Sequence, residues 1–175
     1  MAVNHQSLPT PEICHDLHDL VAGLDDLKHW PLLRSVLFET LRLYPSAPMI
    51  ARQAFEADEV LGCPVVPGCT ITISPWVIHR HRKLWAAPTA FRPERFLDQP
   101  HPWGVEAFLP FGAGPRVCIG AGFALAEAQI IMASLLARFE IGMASQRPVI
   151  PVASITLGPD HEPDFTLTPI SQARP

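Results

Sequence analysis

Apolar residues at Leu33, Leu37, Leu41 and Tyr44, with Val36 beside them, recur at helical spacing and predict a helix over 32–44. Pro31 suits its first turn, where a missing N–H costs nothing, and Pro45 ends it by disfavouring helical geometry at Tyr44. Beyond Ala47 the pattern breaks into short runs between turn signals. Residues 69–74 alternate and are rich in β-branched side chains, as a strand requires, and Pro67-Gly68 ahead of them reads as a type II turn. Residues 58–66 are the expected hairpin partner, restricted to an edge by Pro64. From 79 to 110 no period holds, and a connection of that length is usually functional or pinned by specific contacts. A second helix is predicted over 119–139, with Phe123, Ile130, Ile131, Leu135 and Leu136 on one side. Residues 152–157 and 165–167 read as two short strands around the sequence GPDHEP.

Proline placement sharpens this division. Of 20 prolines in 175 residues, eleven lie from Pro45 to Pro115 and none between Arg116 and Arg147, which separates looping chain from helix. With 48% hydrophobic residues the composition is globular, and the length fits one domain. A formal net charge of -4 argues against general nucleic-acid binding. No run approaches the apolar length of a membrane span, and residues 1–16 lack the basic start and apolar core of a signal peptide. Cys14, Cys63, Cys69 and Cys118 do not suggest a disulfide framework, so an intracellular, cytoplasmic setting is expected.

The chemistry concentrates in Phe111-Gly-Ala-Gly-Pro-Arg-Val-Cys-Ile-Gly120, immediately ahead of the second helix. Unsatisfied N–H groups and the positive dipole end at a helix entrance favour a thiolate, the form of cysteine that binds metal or attacks an electrophile. Gly112, Gly114 and Gly120, with Ala113 and Ala121, clear side chains around Cys118 and leave room for something flat and bulky. Arg116 could pair with an acidic group at the rim of that object. A single cysteine in apolar surroundings is more often a small buried hydrophobe. A phosphate loop fits poorly, because no Lys-Ser/Thr follows the last glycine and Pro110 stands where a strand should be. Glu39 and Arg42 share a helix face, a pairing that in isolation is usually a solvated salt bridge.

Three motifs in order change that weighting: Glu39-Thr-Leu-Arg42-Leu-Tyr-Pro45, then Phe91-Arg-Pro-Glu-Arg95-Phe96, then Phe111-x-x-Gly114-x-Arg116-x-Cys118-x-Gly120. Together they closely resemble the C-terminal part of cytochrome P450 haem-thiolate monooxygenases. The resemblance runs from about Leu24 to the tail, leaving roughly residues 1–23 poorly matched. It implies a mainly α fold with small β hairpins (α+β), the chain being a single partial domain over 1–175.

By this resemblance Cys118 is the proximal ligand of haem iron, Phe111 packs beside it, and the backbone N–H groups of Ile119 and Gly120 hydrogen-bond the sulfur. Arg116 and Arg52 pair with the haem propionates. Glu39, Arg42 and Arg95 form a buried cluster that ties the helix to the long loop, a structural role. Ala124 and Glu127 match the Ala-x-x-Glu of the helix that follows. The implied activity inserts one oxygen atom from O2 into a small organic substrate, with electrons from a redox protein docking on the cysteine face. The family's oxygen-activation pattern, Ala/Gly-Gly-x-Asp/Glu-Thr-Thr, is missing from this sequence. The expectation is therefore a C-terminal fragment, any membrane anchor of its parent lying outside it. The alternative is a truncated, catalytically incompetent haem-binding or structural remnant.

Two other groups have suggestive residue types. Cys14-His15-x-x-His18, with Cys63 and Cys69, carries zinc-ligand chemistry without tight paired spacing, and core packing in the hairpin accounts for the latter two. The basic run His79-Arg-His-Arg-Lys83 reads as a solvated loop face.

Overall fold

The structure, a computed structural model, describes residues 24–97, 104 and 106–170. After a 3-10 turn at Leu24–His29, helix α1 runs Pro31–Leu43 with proline in its first turn. It stops where the Tyr44 N–H bonds the Thr40 carbonyl at 2.6 Å, one residue before Pro45. Its buried face is Leu33, Ser35, Phe38, Glu39, Arg42 and Leu43. The apolar stripe expected to face the core is thus rotated: Leu37 and Leu41 are half-buried and Tyr44 is 36% exposed. A helix that buries a carboxylate and a guanidinium cannot be oriented by apolar spacing alone.

Four short strands follow: β1 Ile50–Gln53, β2 Asp58–Val60, β3 Cys63–Val65 and β4 Thr70–Ile73. The expected partner of β4 is corrected here. β4 pairs antiparallel with β1, Ile50 opposite Ile73, while β2 and β3 form a hairpin with each other, Val60 opposite Cys63. Leu61 and Gly62 both have positive φ, 51° and 79°, the two-residue turn whose twist suits a hairpin. The Leu-Gly turn carries little sequence signal, since leucine rarely enters that region. Pro67-Gly68 behaves as expected, with Gly68 at φ 84° and the Cys69 N–H bonded to the Val66 carbonyl at 3.0 Å.

Ser74 caps the one-turn helix α2, Pro75–Ile78, its Oγ accepting the Val77 N–H. The irregular stretch beyond it holds a 3-10 turn at Pro93–Phe96 and a second at Gly114–Arg116. Helix α3, Ala121–Leu136, leads into β5, Phe139–Met143. In the tail, β6 Pro151–Ala153 pairs with β7 Leu157–Pro159, and β8 Phe165–Pro169 pairs with β5. The expected strand over 152–157 is therefore two arms and a turn, and Phe139 opens a strand rather than closing a helix.

Two apolar clusters hold these pieces. Trp30 and Leu33 pack on Ala133 and Leu136, joining the start of α1 to the end of α3. Phe38, Trp85, Phe96, Ala107 and Phe108 form an aromatic centre, with the Phe38, Phe96 and Phe108 rings 5.0–5.7 Å apart. Helix α3 is apolar around its circumference yet leaves Phe123 74% and Ile131 52% exposed.

Candidate functional site

The aromatic centre supports a charged one. Glu39 and Arg42 sit at (i, i+3) on α1, both fully buried. Arg42 donates Nε–H to Glu39 Oε2 at 2.7 Å and Nη2–H to Oε1 at 2.8 Å, a bidentate grip. Its remaining N–H groups go to the carbonyls of His79, Pro88 and Ala90 at 2.7–3.1 Å, and the guanidinium lies 5.0 Å over the Trp85 ring. Glu39 Oε1 also accepts the Arg92 N–H at 2.8 Å and the Arg95 Nε–H at 3.2 Å. Arg95 donates in turn to the Ala86 carbonyl at 3.1 Å. Burial pushes the Arg95 guanidinium below its ordinary value, opposed by the neighbouring Glu39 carboxylate. The structure thus brings Glu39, Arg42 and Arg95 together, and the stretch from 79 to 95 is ordered by hydrogen bonds to them.

The cysteine loop leaves this centre at Phe108 and Leu109. The Cys118 N–H bonds the Phe111 carbonyl at 2.9 Å, closing the loop, and the Val117 N–H bonds the Gly114 carbonyl at 3.1 Å. Gly112 and Gly114 take φ of 75° and 70°, where a side chain is strained. A Cβ on Gly114 would meet nothing, and one on Gly120 would lie 3.9 Å from the Cys118 sulfur. The thiol therefore sits beside Gly120, exposed, and Val117, Ile119 and Phe123, close to it in the sequence, are exposed as well. Among the described residues, neither the Ile119 nor the Gly120 N–H donates to another group.

Arg116, two residues before Cys118, is exposed, and among the described residues it makes no ion pair. Arg52 is exposed on β1, and among the described residues its side chain donates only to the neighbouring Ala51 carbonyl. Ile50, on the same strand, approaches Gly112 to within contact of a Cβ there, so β1 borders the loop. A soft sulfur donor, exposed apolar side chains and, among the described residues, unaccepted amides and two cations without carboxylate partners suit a flat apolar group with acidic substituents. Phe111 is half-buried at the loop's start, while Ala124 and Glu127 lie on the exposed side of α3.

The other candidates fare differently. Cys14, His15 and His18 lie outside the described residues. Cys63 and Cys69 are exposed, so core packing does not account for them, and the described residues hold no cluster of three or more metal-ligating side chains. The basic run is only partly a solvated face. His81, Arg82 and Lys83 are exposed, but His79 is fully buried. Arg80 lies 3.5 Å over the Trp76 ring and bonds the carbonyls of Trp76 and Leu43, and burial lowers it to about 10. A basic run hides such a residue, because its neighbours advertise water.

The buried charged cluster thus orders the chain leading to a loop that presents an exposed cysteine ahead of helix α3. The Cytochrome P450 family profile matches residues 15–161, and the chain belongs to that family, whose cofactor is haem. It is 39% identical over 150 residues to a cytokinin hydroxylase of Arabidopsis thaliana, covering 85% of this chain and 29% of that protein. It is 38% identical over 146 residues to cytochrome P450 4V2 of Homo sapiens, covering 78% and 27%, and 42% identical over 122 residues to cytochrome P450 71D18 of Mentha gracilis, covering 69% and 25%. The chain thus spans less than a third of the length of these relatives. No helix among the described residues is long and apolar enough to cross a membrane.

Proposed function

We propose that this chain is the haem-binding part of a haem-thiolate monooxygenase, with Cys118 as the iron ligand. The observation that carries the reading is the exposed Cys118 thiol on a loop held by left-handed glycines, beside Gly120 and ahead of α3. Haem held through a thiolate supplies O2 activation, the sulfur's electron donation favouring O–O cleavage. The protein's part is to hold and tune that sulfur. Phe111 closes the loop through its carbonyl, and the free Ile119 and Gly120 amides are placed to donate to a thiolate. Arg116 and Arg52 supply positive charge for the propionates. Glu39, Arg42 and Arg95 keep the preceding chain in register and take no part in proton transfer.

The proposed reaction inserts one oxygen atom into a small organic molecule; one relative is named a hydroxylase, which fits that class. An electron-donor protein on the cysteine face supplies the reducing equivalents. Three free thiols among the described residues suit a reducing, cytoplasmic compartment. The test is to load the chain with haemin, reduce it and add carbon monoxide. A strongly red-shifted Soret band, lost in Cys118→Ala, is expected. A histidine-like band, or one unchanged in Cys118→Ala, would overturn the assignment.

A further inference from the structure

His79 stands between the charged cluster and the cysteine loop and touches both. Its backbone carbonyl accepts Arg42 Nη1–H at 2.7 Å. Its ring Nε2 accepts the Leu109 N–H at 2.7 Å, thirty residues along the chain. The side chain is fully buried, and its ring lies 5.3 Å from that of Phe108, a member of the aromatic centre. Leu109 is where the loop departs: Pro110 follows without an N–H, and the Leu109 carbonyl accepts the Gly112 N–H at 3.2 Å. We propose that His79 is a positioning residue for the cysteine loop, its ring fixing the loop's origin at Leu109 while its carbonyl is fixed by Arg42. The role in placing Cys118 rests on the haem-thiolate reading; the clamp on Leu109 does not.

The geometry dictates one protonation state. An Nε2 that accepts must be unprotonated, so the ring proton is on Nδ1. Burial, then the charge of Arg42 and Arg80, lowers the ring to about 4, with nearby backbone carbonyls of Arg42 and Leu41 opposing. Arg42 from α1 and Arg80 alongside are the charged groups facing it, while Glu39 is already engaged by Arg42 and Arg95. A second proton would land on Nε2, set a donor against the Leu109 donor and release the loop's origin.

The experiment follows amide hydrogen exchange across the whole 175-residue chain, each rate normalised to the intrinsic rate at that pH. His79→Phe keeps the ring and removes the acceptor. It is expected to speed exchange at Leu109 on the order of tenfold, as for one lost hydrogen bond, and to leave α1 within about twofold. His79→Gln, whose Oε1 reaches the same place, should restore protection. In the parent chain Leu109 protection should fall between pH 6 and 4, and in His79→Gln it should not. Unchanged Leu109 exchange in His79→Phe, or equal loosening of α1, would overturn the proposal. On haem-loaded chain, His79→Phe should lower the fraction giving the red-shifted carbon monoxide band, and His79→Gln should recover it. Absence of that band from every chain would count against the Cys118 assignment alone, because Leu109 exchange is read without haem.

Discussion

Arg42 closes on Glu39 through two parallel hydrogen bonds of 2.7 and 2.8 Å while both side chains are fully buried. A carboxylate so far from water persists only because it is paired and hydrogen-bonded: it accepts four N–H donors, and Arg42 supplies two of them. Three backbone carbonyls take the rest of the guanidinium, which makes this side chain a rivet through three segments of chain.

Arg42→Ala should therefore cost about 3–5 kcal/mol, the penalty for leaving a buried charge uncompensated. Arg95 contributes one 3.2 Å bond to the same carboxylate and one to a carbonyl, so Arg95→Ala should cost roughly 1–3 kcal/mol. Denaturant midpoints at pH 7 decide the order, and equal losses would contradict the division of labour between the two arginines.

Stability should also fall on mild acidification. His79 is held near 4 in the fold against 6.5 when exposed, so the unfolded chain binds the extra proton first. Stability then drops as pH falls from 6.5 towards 4 and levels off below. At about 1.4 kcal/mol per pH unit the full loss is on the order of 3 kcal/mol. The slope should vanish in His79→Gln; a slope of the same size there would assign it to another group.

Glycine substitutions should act with opposite signs in adjoining stretches. Gly112→Ala meets only ordinary contacts, so its cost, about 1–2 kcal/mol, is that of forcing a side chain to φ 75°. Gly122→Ala, in α3 with open space around it, should stabilise by up to about 1 kcal/mol. Thermal melts of the two variants would separate them.

At the far end, Asp160 accepts the Ile150 N–H, His161 Nδ1–H and Arg147 Nη2–H. Chiefly the Ile150 bond lowers its carboxyl to about 2. Its hold on the β6–β7 hairpin is complete above pH 4 and lost as pH falls towards 2. Asp160→Asn should raise exchange at Ile150 and across the hairpin at neutral pH while leaving α1 unchanged.

The elements carrying chemistry were legible because their residues are unusual. Glu39, Arg42, Arg95 and Cys118 stand in spaced motifs, and prolines mark the ends of α1. The rotation of α1 was hidden because its buried face is partly charged, which hydrophobic spacing discards. β1 as partner of β4 was hidden because Leu61-Gly62 makes a turn without a turn's usual residues. His79 was hidden by its basic neighbours, and a donor as ordinary as the Leu109 N–H leaves no trace in sequence.

The same charged cluster sets an order of assembly. Glu39 and Arg42 can meet as soon as one helical turn exists, but their other partners lie up to 56 residues downstream. Closing a segment of that length costs roughly 3.5 kcal/mol in chain entropy before any contact rewards it. A ribosome therefore releases α1 with its ion pair still wet, and the carboxylate dries only when 79–95 wraps over it. The cysteine loop, emerging later, springs from a surface that did not exist until then, so slow steps in maturation should map to that wrapping and not to the helices on either side.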